Sequence, residues 1–236
     1  GRNTADAIRL LKTLAVKPLP ESYSPMNLSE VRIGWMGNLD NYLAMESGVT
    51  ELCEVCLNSL SSAAAKVDAV QPQFNLSDLW LAWTTIRHSG RTGYYDNYND
   101  PESRALMKPE LQWEIEQSFV LTDSDRGLAN RIRNDWYQEL DRLFNEYDFL
   151  ALPSAQVFPY PKAIHWPEEI AGRQMDTYHR WMEVVILASM GGIPVINLPV
   201  GSDELGRPMG MQIMGRFGED KRVLEFALAY EQVTDY

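Results

Sequence analysis

The chain has 236 residues, 45% of them hydrophobic, and a formal net charge of −12. That length is enough for one large or two small domains with a full core, and seven Trp and eleven Tyr supply bulk for it, which argues against disorder. The acidic balance counts against nucleic acid and anionic membrane surfaces as main partners, because phosphate binding relies on Lys and Arg to displace counterions.

Asn3, with Asp6 three residues later, has a capping-box arrangement, and Ile8, Leu11 and Ala15 follow at helical spacing. A domain seldom begins at a helix cap, so the chain is expected to be the downstream part of something longer. The proline-punctuated connector "VKPLPESYSPMNLS" leads to "VRIGWMG", read as a short buried strand. Residues 47–66 read as an amphipathic helix and "VDAV" as a second strand, an alternation typical of α/β layers. Cys53 and Cys56 fall on one face of that helix. With no second CxxC and no nearby His they read as small buried thiols. No disulfide framework and no secretory leader is evident, so a cytoplasmic location is expected. The sequons at Asn27 and Asn75 each sit just before an element start.

Asn75 caps a helix over "LSDLWLAWTTIRH", where Trp80 and Trp83 read as core packing ahead of a substrate wall. "SGRTGYYDNYNDPESR" reads as a long polar loop and the best candidate for a mobile segment. Helices are predicted over 109–120 and 123–147, then a buried strand in "DFLALPS". The 154–172 loop carries Pro159, Pro161 and Pro167 among aromatic residues, and 176–190 reads as one apolar helix. "PVINLPV" and "MGMQIMG" form a hairpin around "GSDELGRP". A last helix over 219–233 turns Val223, Phe226, Ala227 and Tyr230 inward.

The chemistry expected of such a chain is hard to find in it. His88, His165 and His179 stand at no metal-ligand spacing, and "DSDRG" at Asp123 fails as a calcium loop because its glycine comes one position early and Asn134 holds the closing position. There is no GxGxxG, no GxxxxGK and no GxSxG, so no metal and no cofactor is expected. Ser189 ends an apolar helix without an evident base, and Glu183 reads as paired with Arg180 or set in a buried network. No complete catalytic constellation is present.

The segment "MGGIPVINLPVG", "SDELGRP", "MGMQIMGR", "KRVLEFALAYEQ" resembles the close of the amidase-signature family in order, spacing and residue type. "GRNTADAIRLL" and "EVRIGWMGNLDNYLAMESGVTELCE" resemble the helix, strand and helix midway along such enzymes. The resemblance covers essentially all of residues 1–236 but only the second half of the family's usual length. It implies the C-terminal part of an α/β fold, a mixed β-sheet flanked by helices. It also implies hydrolysis of carboxylic amides by a Ser nucleophile, a bridging Ser and a Lys, all upstream and matched by no residue here. The roles parallel a Ser-His-Asp triad.

The chain alone is therefore expected to be inactive and to supply the far wall of a pocket for a small-molecule amide substrate. The resemblance puts Ser154, Gln156, Trp181 and Met182 on that wall, with Gly191, Gly192 and Gly210 allowing close backbone approach. Glutamine-using subunits of tRNA amidotransferases carry an Asp where Met182 stands, which disfavours glutamine. Two other readings stay open: a fragment of such an amidotransferase, and a non-catalytic binding half domain. Half a sheet should expose apolar surface or an unpaired edge, so a homo-oligomer is expected.

Overall fold

The structure, a computed structural model, describes residues 3–234; Gly1, Arg2, Asp235 and Tyr236, the ends of the expected 1–236 unit, lie outside the described residues. The chain divides into two compact units, one of residues 1–72 and 140–236, the other of 73–139.

The larger unit is built on a five-stranded mixed sheet. Its strands are β1 (Arg32–Trp35), β2 (Lys66–Ala69), β3 (Phe149–Pro153), β6 (Val195–Ser202) and β7 (Pro208–Gly215), in the order β2-β1-β3-β7-β6. β1 runs parallel to β2 and β3, and β7 antiparallel to β3 and β6. β6 is an edge, and Pro199 sits there, where a missing N–H costs least. One face of the sheet is closed by α2 (Val49–Ser62) and α9 (Asp220–Val233): Ile33, Phe149, Met211, Ile213, Leu198 and Phe226 share one buried cluster with Cys53 and Cys56. Burying each large side chain stabilises the fold by about 1.5–3 kcal/mol. Both thiols are buried and unbridged, and burial pushes that of Cys53 up to about 12, so it stays protonated and packs as a small hydrophobe.

The local signals hold where they are strong. Asn3 caps α1 (Thr4–Leu14) by accepting from the Asp6 N–H at 2.8 Å, and Asn27 and Asn75 cap the turns that follow them. The final helix turns Val223, Phe226, Ala227 and Tyr230 inward as its spacing demands.

The smaller unit holds α3 (Leu76–Ser89), α4 (Tyr95–Asn99), α5 (Pro101–Ala105), α6 (Pro109–Val120) and the first part of α7 (Asp123–Glu146). Trp136 is fully buried and meets Phe74 edge-on at 5.3 Å, while Trp80 stacks on Trp83 at 5.3 Å. Glu114, almost fully buried, takes charge-assisted hydrogen bonds from both Arg87 and Arg91. The polar stretch expected to be a mobile loop is instead short helices. Asp100 caps α5 by accepting from the Ser103 N–H, and Pro101 opens it. Tyr95 pairs with Ser118 at 2.8 Å, and Tyr98 donates to Glu116 while Arg104 covers its ring. These tyrosines are packing groups, a use the run of polar letters hides.

Two further expectations change. The 154–172 loop includes a two-residue strand, β4 (Glu169–Ile170), which pairs with β5 (Arg173–Gln174). The turn between them places both Ala171 (φ 48°) and Gly172 (φ 78°) in the left-handed region. The apolar 176–190 segment is not one helix. A 3-10 turn, Arg180–Val185, breaks at Met182 (φ −116°, ψ 19°) and gives way to a six-residue α8 (Ile186–Gly191). The cause is tertiary. The Val184 N–H donates to Gln156 Oε1 at 3.1 Å, and its carbonyl accepts from Gln212 Nε2 at 3.1 Å, so both groups of that residue bond outside the helix.

Candidate functional site

Ligands of open α/β sheets gather beyond the carboxyl ends of the parallel strands. Here those ends are Trp35 on β1 and Pro153 on β3. The chain after β1 is strained: Leu39, Asp40 and Asn41 all have left-handed φ (58°, 52° and 65°), a conformation costing about 1–2 kcal/mol per residue. Buried Leu39, the Asn38 side chain accepting from the Asn41 N–H, and Arg173 donating to the carbonyls of Asn41 and Tyr42 hold it there. This turn delivers Tyr42 to Glu183 and the Ala44 carbonyl to Gln156.

Gln156 is 1% exposed and bonded at both ends of its amide: Nε2 donates to Ala44 O at 2.9 Å, and Oε1 accepts from the Val184 N–H. Gln212 matches it from the sheet, with Nε2 donating to Pro153 O at 2.9 Å and to Val184 O. Together they clamp the Arg180–Val185 turn against the end of β3. Glu46 joins the same loops, accepting from the Phe158 N–H at 2.9 Å and from Arg207 at 2.9 Å.

Cross-strand register decides what lies beside this clamp. Asn197 opposes Gln212, and Pro199 opposes Gly210, whose carbonyl accepts from the Ser154 N–H at 2.9 Å. Strand side chains alternate, so Asn197, Gly210, Gln212 and Ser154 share the face turned away from Leu198, Met211 and Ile213. Two adjoining clefts open there, of about 490 and 550 Å³, and both are lined by Ser154 and Asn197. Among the described residues, no Asp, Glu, Lys, Arg or His lines either one.

The anticipated residues fall in different places. Ser154 lines both clefts and Trp181 the larger one. Gln156 lies behind the wall, and Met182, half-buried at the break in the turn, lines neither cleft. Gly210 allows close approach: a Cβ there would sit 2.8 Å from Ser154 Oγ and 2.5 Å from Asn197 Oδ1. At Gly191 it would sit 2.4 Å from Leu140 Cδ1, and Gly192 ends α8 with φ 58°. Ser189 lines the smaller cleft, but its hydroxyl donates to Val185 O at 2.9 Å. Asn197 and Gln212 are missed by sequence reasoning. Their only signal is one amide in each of two apolar strands, invisible without the register that joins them.

Glu183 is buried, accepting from Tyr42 Oη at 2.6 Å and from Arg180 at 3.0 Å. Burial pushes its carboxyl above the usual range, whereas the Arg180 hydrogen bond holds Asp176 below its own. A carboxyl raised on folding binds its proton more tightly in the native state. Its contribution is therefore fully present below the unfolded value of 4.5 and is lost as pH rises through the folded value. Glu183→Gln removes this dependence. The melting temperature of the variant minus that of the wild type should climb as pH rises above about 4.5. A difference that stays flat from pH 4 to 7 would show that the carboxyl is not raised.

A family model described as Amidase matches residues 11–224. The acylamidase of Rhodococcus erythropolis is 26% identical over 231 residues, which cover 94% of this chain and 47% of that protein. A glutamyl-tRNA(Gln) amidotransferase subunit of Synechococcus sp. (strain RCC307) is 32% identical over 190 residues, covering 80% of this chain and 36% of that protein. Among solved structures, one described as an amidase superposes with a TM-score of 0.82 at 21% identity, over 98% of this chain and 51% of that one. A bacterial aryl acylamidase of the amidase-signature family gives 0.76 at 19%, over 88% and 44%. The chain thus spans about half the length, or less, of these relatives. The match over residues 11–224, nearly the whole chain, places it in the amidase family, and the superposition agrees in fold.

Proposed function

We propose that these residues form one wall of the substrate pocket of an amidohydrolase acting on uncharged carboxylic amides, with the nucleophile in sequence outside them. The observation that carries this reading is the pair of clefts at the end of β3. They offer hydroxyl and amide groups for binding but have no His, Lys, Asp or Glu among the described residues of their linings to activate a nucleophile. The acylamidase and aryl acylamidase among the relatives support an amide substrate.

By itself the chain should neither hydrolyse acetanilide above the buffer rate nor take up a fluorophosphonate serine label. Stoichiometric labelling of any serine would overturn the claim that the nucleophile lies elsewhere.

A second reading, a part of a glutamine-using amidotransferase, is favoured by the 32% identity to a component of one. Against it stand Met182, the acidic charge and the uncharged clefts, which offer no partner for the ammonium and carboxylate of glutamine.

A further inference from the structure

We propose that Asn197, Ser154 and Trp181 form a subsite for a neutral aromatic primary amide; this rests on the reading that the clefts face an amide substrate. Around the clefts the protein leaves several hydrogen bonds unmade. Both ends of the Gln156 amide and the Nε2 of Gln212 are taken by backbone partners. The side chains of Asn197 and Ser154 have no partner among the described residues, and both stand at the mouth shared by the two clefts. They are brought together over Gly210, where a Cβ would lie within 2.9 Å of Ser154 Oγ and of both polar atoms of the Asn197 amide. Trp181 adds its ring to the larger cleft, and its indole N–H, shielded from solvent and without an acceptor among the described residues, reports from within that wall.

The surroundings select the ligand. Phe158, Tyr160, Trp181 and the rings of Pro159 and Pro199 line the larger cleft, with Tyr160 edge-on to Trp181 at 5.8 Å. Flat apolar walls of this kind favour an aromatic ring. With no charged group in the lining, a carboxylate or an ammonium would lose its hydration without compensation. An asparagine carboxamide offers one acceptor and two donors, and it complements another primary amide with two antiparallel hydrogen bonds. Benzamide is the simplest compound that meets all three conditions.

The test is a titration of the isotope-labelled full chain with benzamide, and in parallel with benzoate. It follows the Trp181 indole N–H and the Asn197 side-chain NH2, identified from the Trp181→Phe and Asn197→Ala spectra. Benzamide should shift both signals saturably and bind at least about tenfold more tightly than benzoate. Asn197→Ala should weaken it about tenfold. Gly210→Ala should do the same by pushing both polar side chains aside, and it leaves their chemistry intact. Asn197 is exposed on an edge strand, so the rest of the spectrum should be preserved.

Binding that is equal for benzoate, or indifferent to both substitutions, would overturn the subsite. So would the absence of any shift in a folded chain. None of these results bears on where the nucleophile lies, which the phosphonate label tests separately.

Discussion

Replacing Gln156 by alanine should lower stability by about 2–6 kcal/mol, because it strips the partners from two backbone groups, each costing about 1–3 kcal/mol when left unmade. Those groups are Ala44 O and Val184 N–H; Val184 is fully buried and Ala44 nearly so. Guanidinium unfolding should show a lower midpoint with an unchanged slope. The larger consequence is geometric. Gln156 and Gln212 hold the same Val184 residue, one by its N–H and the other by its carbonyl, so the two substitutions should be non-additive. A loss under about 0.5 kcal/mol for Gln156→Ala would mean that the Arg180–Val185 turn does not depend on this clamp.

Phe226→Ala should cost about 3–5 kcal/mol, the usual range for deleting a fully buried aromatic ring. Phe226 is 0% exposed and packs on Phe149 with centroids 4.7 Å apart, between α9 and the sheet. Its cluster lies on the sheet face opposite Asn197 and Gln212. The affinity of the folded variant for benzamide should therefore match that of the wild type, whereas Gln156→Ala should weaken it by freeing the segment that carries Trp181. If Phe226→Ala weakened binding as much as Gln156→Ala, the two faces would not be separable, and the proposed role of the clamp would fall.

The contrast between these residues also marks what can be read from sequence. Spacing alone predicts that Phe226 faces inward, since a helix repeats its buried face every three to four residues whatever it packs against. The helix opened by Pro109 and the caps at Asn3, Asn27 and Asn75 are legible for the same reason: each is settled by atoms within one turn of chain. Strands β1, β3, β6 and β7 announce themselves by short apolar runs between turn residues. The family is legible in the order of those segments.

Other features depend on distant partners. Nothing local in "RWMEVVILASM" says that Val184 will give its N–H to Gln156 and its carbonyl to Gln212. Apolar spacing therefore suggests a continuous helix where the chain breaks at Met182. The tyrosines after Gly90 look like loop residues because their partners, Ser118 and Glu116, stand more than fifteen residues on. The hairpin at Ala171 lacks the Asn-Gly or Asp-Gly pair that marks such turns.

Periodicity, capping and segment order act along the chain, so the strands of the main sheet, the longer helices with their inward faces, and the family were settled by the order of amino acids. Which amides are spent and which stay free was settled only on folding. Hydrogen-bond satisfaction depends on strand register and on loops far apart in sequence, and that separates the Gln156 amide behind the wall and the Gln212 Nε2, both given to backbone groups, from the side chains of Asn197 and Ser154, which stand at the clefts without a partner among the described residues.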